Sequence, residues 1–123
     1  MPHFEYRNGE LHGDSTPLRT IAAAVGTPTY VYSRAALLEN YRAYETAVAS
    51  HPHVIAYAMK ANANLGVVAT LARAGAGAEV FSGGELFRAL KAGVQPKKII
   101  FAGPGKTREE MRDALKTDIL MFN

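Results

Sequence analysis

The stretch that decides the fold is Val54-Ile55-Ala56-Tyr57-Ala58-Met59, a continuous apolar run followed directly by Lys60. Uninterrupted apolar runs of this length are typical of a parallel strand that is buried on both faces. Three similar strands are predicted further along, at about 78–81, 98–102 and 118–122. An amphipathic helix is predicted between successive strands, so strands recur at intervals of roughly 20 to 24 residues. This alternation predicts parallel βαβ units and an α/β fold.

The predicted helix starts support this assignment. Ser82 with Glu85, and Thr107 with Glu110, have the S/T-x-x-E spacing of a capping box, which marks the first turn of a helix. The local pattern is equally compatible with a doubly wound sheet and with part of a (β/α)8 barrel. The architecture beyond α/β therefore needs a further argument.

The segment before residue 33 has a weaker pattern. Residues up to Asp14 are polar and are predicted to be irregular. Thr16 and Pro17 are predicted to open a short helix, with threonine as the cap and proline at the first helical position. Residues 29–32 are β-branched or aromatic and are predicted to form a short strand. Ser33 is predicted to cap a longer helix.

Composition limits the class of protein. The 123 residues suffice for one small domain, and the net charge of +3 is dispersed, unlike the dense basic patches of nucleic-acid-binding proteins. No apolar run reaches the roughly 18 to 20 residues of a membrane span, and the first residues lack the pattern of a signal peptide. There is no cysteine, which excludes disulfides and a cysteine nucleophile within these residues. A cytoplasmic protein that binds neither nucleic acid nor a membrane is expected.

Glycine-rich turns and histidines provide no clear binding motif. Residues 103–107 end in Gly-Lys-Thr, but a Walker A loop needs glycine where Ile100 stands. The Gly75-Ala76-Gly77 segment precedes its predicted strand, whereas a dinucleotide-binding turn follows one. Gly83-Gly84 is explained at least as well by turn chemistry. The four histidines lie in predicted loops without an acidic or cysteine cluster, so no metal site is predicted.

Lys60 is the strongest candidate for chemistry. If the strand continues to residue 60, then Val54, Ala56, Ala58 and Lys60 face the same side. Small apolar side chains leave room beside the amine and favour its neutral form. Only a neutral amine attacks a carbonyl in Schiff-base chemistry. The alternative is a lysine at a strand end that simply reaches solvent.

Glu79 is the second candidate, because it is a carboxylate within the otherwise apolar strand at residues 77–81. A buried charge needs a partner, and Lys60 on the adjacent strand is a candidate for that partner. The alternative is that Glu79 faces a helix and pairs there. Glu85 has a structural explanation as the capping-box glutamate, which makes it a weaker functional candidate.

Four ordered segments of the sequence carry a family resemblance. The segments at 26–32, 57–62, 79–86 and 99–107 resemble motifs of the pyridoxal-phosphate-dependent decarboxylases with an alanine-racemase-like barrel. That group includes diaminopimelate, ornithine and arginine decarboxylases. The wording Ser-Gly-Gly-Glu-Leu and the Gly-Lys-Thr loop are most similar to the diaminopimelate branch.

The resemblance implies a fold and a division of the chain. Residues 33–123 would be the first βα units of a pyridoxal-phosphate-binding (β/α)8 barrel, incomplete in this chain because a typical barrel needs about 250 residues. Residues 1–32 would be an N-terminal segment associated with a second, β-rich domain. The 123 residues would then be part of a longer enzyme and inactive alone.

The resemblance also implies a site and an activity. Lys60 would carry pyridoxal 5′-phosphate, Ala58 and Ser82 would contact this cofactor, and Glu79 would be catalytic. The family's ornithine branch has aspartate at the position of Glu79. The reaction would be decarboxylation of an amino-acid substrate, meso-2,6-diaminopimelate giving L-lysine, in a homodimer. Alternatives are another decarboxylase or racemase of the same group, or a non-catalytic protein that binds the cofactor.

Overall fold

The N-terminal part of the chain is a small antiparallel sheet. The structure is a computed structural model that describes residues 3–123, so residues 1 and 2 of the predicted segment 1–32 lie outside the described residues. The sheet consists of β1 (Phe4–Arg7), β2 (Glu10–Gly13) and β3 (Thr16–Pro17), and helix α1 (Leu18–Val25) follows.

The prediction of an irregular segment up to Asp14 is therefore wrong. Asn8 and Gly9 form the turn between β1 and β2, with φ angles of 52° and 79°. Asn-Gly is the pair that tolerates two left-handed residues in a two-residue hairpin turn, and this signal was present in the sequence. Thr16 belongs to β3 and does not cap α1, because Pro17 is the N-cap and no side chain caps the helix.

The link between α1 and the next helix is irregular. The strand predicted at residues 29–32 is absent, and Tyr30 is 92% exposed. Aromatic and β-branched residues favour a strand only where another strand pairs with them. Helix α2 (Arg34–Val48) begins as predicted, because the Ser33 hydroxyl accepts a hydrogen bond from the Ala36 amide at 2.9 Å. The same hydroxyl donates to the Asp14 carboxylate at 2.6 Å and so joins α2 to the N-terminal sheet.

The remainder of the chain is a parallel α/β unit, as predicted. Its strands pair in the order β4-β5-β6-β7, and each pair is parallel. The elements are, in chain order, β4 (Ala56–Ala58), α3 (Leu65–Ala74), β5 (Gly77–Val80), α4 (Gly83–Lys91), β6 (Ile99–Phe101), α5 (Arg108–Thr117) and β7 (Met121–Phe122).

The strands are shorter than the apolar runs that predicted them. The run at 54–59 forms a strand only over Ala56–Ala58, and Met59 starts a 3₁₀ turn. Strand β4 lies at the edge of the sheet with β5 as its one neighbour, so its residues are half-buried and Val54 is exposed. The prediction that this strand is buried on both faces is wrong for the described residues.

The two faces of the parallel sheet differ. One face packs against helices α3, α4 and α5, and its strand residues are fully buried: Ala78, Val80, Ile99 and Phe101. Because side chains alternate along a strand, the residues between them face the opposite side. That second face carries a row of cross-strand partners at one level: Ala58, Glu79, Ile100 and Met121.

Gly77 permits a close approach of backbones at the start of β5. A Cβ atom at this position would lie 2.2 Å from the Lys98 carbonyl oxygen, a backbone atom that cannot rotate away. We predict that Gly77→Ala lowers the free energy of unfolding of the full-length protein by about 1–3 kcal/mol, as overpacking typically does.

The matched control for this variant is Gly105→Ala, where an added Cβ would have no atom within 4 Å and φ is not in the left-handed region. Urea denaturation of both variants checks the prediction. Equal stability of the two variants would contradict it.

A hydrogen-bonded cluster joins α2 to the approach of β4. The Tyr41 hydroxyl donates to Glu45 Oε2 at 3.0 Å, and His53 Nε2 lies 3.3 Å from the same oxygen. The hydrogen bond from His53 Nδ1 to the His51 carbonyl, together with Glu45, raises the pKa of His53 above its ordinary 6.5. The contacts with His53 and Tyr41 lower the pKa of Glu45 below its ordinary 4.5.

These shifts predict a pH window for the stabilisation by this cluster. The contribution of His53 is fully present below pH 6.5 and is lost as pH rises through its raised pKa. The contribution of Glu45 is present above pH 4.5 and is lost as pH falls through its lowered pKa. We therefore expect His53→Asn to lower the melting temperature more between pH 4.5 and 6.5 than at pH 9.

His51→Asn is the control, because it keeps the backbone carbonyl that His53 uses. Melting curves of both variants and the wild type across this range make the comparison. A destabilisation by His53→Asn that is the same at every pH would refute the assignment.

Candidate active site

The carboxyl ends of the parallel strands bring several polar segments to one edge of the sheet. Lys60 follows β4, residues 81–84 follow β5, residues 102–106 follow β6, and Asn123 follows β7. In α/β folds, ligands bind at this carboxyl edge, because the loops there are free to vary while the sheet holds their ends in place.

Lys60 lies in a short turn with a fixed backbone. The turn Met59–Ala61 is 3₁₀ helical, and Met59 is fully buried against the sheet. The Tyr57 hydroxyl donates to the Asn62 carbonyl at 3.1 Å and so spans the turn. Lys60 follows the strand, as predicted, but β4 already ends at Ala58, so strand alternation does not set the side of the sheet on which Lys60 lies. Its side chain leaves the turn and is exposed at the carboxyl edge.

The amine of Lys60 has an aromatic partner. Lys60 Nζ lies 4.6 Å from the centroid of the Phe81 ring, within the distance of a cation–π interaction. Among the ion pairs of residues 3–123, none joins Lys60 to Glu79 within 4 Å. The partner expected from the sequence is thus replaced by the aromatic residue two positions further along.

Glu79 belongs to the face of the sheet opposite the helices. It is paired in register with Ala58 on one side and Ile100 on the other, and it is half-buried. Its neighbours Ala78 and Val80 occupy the helix-packed core. The alternative in which Glu79 faces a helix is therefore excluded. Its carboxylate lies on the face that would become the interior of a closed barrel.

Ala58 and Ser82 flank these two residues. Ala58 is the last residue of β4, and its small side chain leaves space beside Glu79. Ser82 is the N-cap of α4, and its hydroxyl accepts from the Glu85 amide at 3.2 Å. The Glu85 carboxylate accepts from the Phe81 amide at 2.7 Å, one residue earlier than a capping box requires. The predicted box at this helix is therefore only half formed.

One carboxylate joins the loops after β5 and β6. Glu110 closes the predicted capping box of α5 with Thr107, whose amide donates to it at 2.9 Å. Its other oxygen accepts from the Gly83 amide at 2.7 Å. These hydrogen bonds lower the pKa of Glu110, and the bond from the Thr107 amide has the largest effect. The turn after β5 is thus anchored on the first turn of α5.

Lys106 and Lys60 are both at this edge but differ in their contacts. Lys106 Nζ donates to the Gly103 carbonyl and, at 2.7 Å, to the Asn123 carbonyl, so it ties the loop after β6 to the end of β7. Within residues 3–123, the Lys60 amine makes no hydrogen bond, and its recorded contact is the Phe81 ring. Lys60 is therefore the amine at this edge that is available for reaction.

The described residues show neither a metal cluster nor a membrane-spanning helix. Residues 3–123 contain no group of three or more His, Asp or Glu side chains arranged to hold a metal ion. No helix in this part of the chain has the length and apolar character needed to cross a membrane.

Comparison with known proteins identifies the family. Residues 34–123 match the family described as pyridoxal-dependent decarboxylase, pyridoxal binding domain, and the chain belongs to this family. The chain is 51% identical to diaminopimelate decarboxylase of Pseudomonas aeruginosa over 123 residues. The aligned region covers all of this chain and 30% of that protein.

Solved structures agree with the family assignment. A crystal structure of diaminopimelate decarboxylase from M. jannaschii in complex with L-lysine superposes with a TM-score of 0.92 at 38% identity, over 98% of this chain and 29% of that one. A crystal structure of a protein from Aquifex aeolicus has a TM-score of 0.92 at 47% identity, and the match covers 99% of this chain and 30% of that one. The sheet of residues 56–122 therefore corresponds to the first strands of a decarboxylase barrel, which is incomplete in this chain.

Pyridoxal phosphate is the cofactor that this family binds, and the residues present fit it. An aldehyde cofactor requires a primary amine that is free to react, and the Lys60 amine makes no hydrogen bond within the described residues. Ala58 leaves space on the same face, and Glu79 supplies an acceptor there. The amides of Gly66 and Gly83, at the starts of α3 and α4, already donate to Asn64 and Glu110 and are not free to bind the cofactor's phosphate.

Three contacts of this site were not predicted from the sequence. Phe81 was assigned to the end of a strand, but it follows β5 and contacts Lys60. The hydrogen bond of Tyr57 across the lysine turn depends on a turn that the apolar run concealed. Glu110 was correctly assigned as a cap, but its bond to Gly83 spans 27 positions and has no signal in local spacing.

Proposed function

We propose that this chain is the amino-terminal part of a pyridoxal-phosphate-dependent decarboxylase that converts meso-2,6-diaminopimelate to L-lysine. The observation that carries the proposal is the position of Lys60, which lies in a fixed turn at the carboxyl edge of the sheet and whose amine makes no hydrogen bond within the described residues. The family match supports the cofactor, and the identity to diaminopimelate decarboxylases over the whole chain supports the substrate. The chain spans about 30% of the length of those relatives, so the activity is that of a longer protein.

In this proposal the described residues anchor and orient the cofactor. Lys60 would hold it covalently, and the turn closed by Met59 and Tyr57 would fix the point of attachment. Bound pyridoxal phosphate supplies the electron sink that accepts the pair of electrons left when the carboxylate departs. Ala58 would leave room for the ring, and Ser82 would border it from the start of α4.

Glu79 would act from the interior face of the barrel. A half-buried carboxylate at the level of Ala58 can accept a hydrogen bond from a donor on the cofactor or the substrate amine. Such a contact orients the reacting groups, because the strand holds the carboxylate in register. Glu79 thus has a role that differs from the capping roles of Glu85 and Glu110.

The larger assembly follows from the same proposal. Residues 33–123 would form the first part of the barrel, and residues 1–32 would lie against a second, β-rich domain. The exposed aromatic residues Tyr6 and Tyr30 support a contact in this segment, because large exposed apolar surface is costly when left uncovered. We further propose a cytoplasmic homodimer.

Attachment to Lys60 can be tested directly on the full-length enzyme. Borohydride reduction followed by peptide mapping should place the pyridoxyl label on Lys60, and Lys60→Ala should remove both the label and the bound cofactor's absorbance. Lys91→Ala, on the exposed side of α4, is the control and should retain both. A label on Lys91 or Lys106 would overturn the assignment.

The role of Glu79 has its own test. We expect Glu79→Gln to lower kcat by at least about tenfold while the cofactor remains bound, because the change removes a charge from the reacting face but keeps its size. Glu109→Gln, on the exposed first turn of α5, should leave kcat unchanged.

Rates of decarboxylation of diaminopimelate, ornithine and arginine by the full-length enzyme identify the substrate. A preference for ornithine or arginine would refute diaminopimelate as the substrate.

A further inference from the structure

The Lys60 side chain needs a contact that holds its amine in place. The turn fixes the backbone of Lys60, but four rotatable bonds separate that backbone from the amine. The carboxyl edge offers Glu79 and Phe81 as partners, one on β5 and one directly after it. The amine lies over the Phe81 ring and makes no ion pair with Glu79 within the described residues.

The Phe81 ring is itself held in place from two sides. The backbone amide of Phe81 donates to the Glu85 carboxylate at 2.7 Å, and this bond fixes Phe81 at the start of α4. On the other side it meets Gly103, where an added Cβ would lie 3.0 Å from Phe81 Cδ1. Gly103 also has φ of +88°, so glycine is the residue that both adopts this backbone and leaves room for the ring.

We propose that Phe81 is a positioning residue for Lys60. The ring face attracts the charged amine and keeps it over the end of β5, above the row that contains Ala58 and Glu79. The amine is thereby held at the carboxyl edge of the sheet, on the side where the cofactor would attach. This inference rests on the proposed role of Lys60 as the cofactor-bearing residue.

Residues 3–123 contain two further lysine–phenylalanine pairs, and the one that lies away from the carboxyl edge serves as a comparison. Lys91 Nζ lies 5.5 Å from the Phe87 ring on helix α4, and Phe87 is exposed on the surface. This pair has the same chemistry but lies away from the carboxyl edge of the sheet. Phe87→Leu is therefore a matched control for Phe81→Leu.

The test measures the reactivity of single lysines in the full-length enzyme after its cofactor has been removed with hydroxylamine. Competitive labelling with trace acetic anhydride, followed by peptide mapping, gives a rate for each lysine. Phe81→Leu should raise the rate at Lys60 by about two- to fivefold, the factor expected for loss of an exposed cation–π contact. Phe81→Tyr keeps the ring face and should restore the wild-type rate, and Phe87→Leu should leave Lys60 unchanged.

Each result decides the proposal. An unchanged rate at Lys60 in Phe81→Leu overturns it, and so does an equal increase in Phe81→Leu and Phe81→Tyr, because side-chain shape would then be the cause. Phe81→Met replaces the leucine variant if that variant does not fold. The labelling does not depend on turnover, so the two proposals can fail separately. If the labelling rate at Lys60 depends on Phe81 but the enzyme does not decarboxylate diaminopimelate, only the proposed function is refuted.

Discussion

Parallel pairing of β4 to β7 is the constraint on which the rest of the structure depends. Each crossover helix returns the chain to the same side, so every strand leaves the sheet at one edge. The in-register pairs Ala58–Glu79 and Glu79–Ile100 then fix which side chains lie at the same level. Lys60 lies beside Phe81 because the two residues follow adjacent strands, β4 and β5, at the same edge of the sheet.

The chemistry of the site follows from a difference between two amines. Lys106 is saturated by the carbonyls of Gly103 and Asn123 and therefore has a structural function, since it joins two strand ends. Lys60 has an aromatic ring as its partner and keeps its nitrogen free of hydrogen bonds within the described residues. Sequence motifs containing lysine do not reveal this difference, because it depends on which carbonyl groups the loops present. A family that anchors an aldehyde cofactor needs an amine of the second kind.

The sequence predicted the parallel α/β unit because its signals are local. Apolar runs, capping residues such as Ser33 and Thr107, and the glycine after α3 each act within a few residues. Elements that depend on partners elsewhere in the chain were not predicted correctly. Residues 29–32 had strand-forming side chains but pair with no strand within residues 3–123, and the apolar run at 54–59 is a strand only as far as Ala58, because a 3₁₀ turn begins at Met59. For the site, Lys60 and Glu79 were identified as candidates from the sequence, whereas their geometry and the contact with Phe81 required the structure.

The bond between Glu110 and Gly83 has a consequence for how this site can change over evolutionary time. Because a single carboxylate holds its own helix start and the turn of the preceding unit, the two turns do not drift independently. A Cβ added at residue 83 would lie 3.2 Å from the Glu110 side chain, so a larger residue there has to displace the carboxylate that holds both turns. Glycine at position 83 and glutamate at position 110 are therefore expected to be kept together in related lineages.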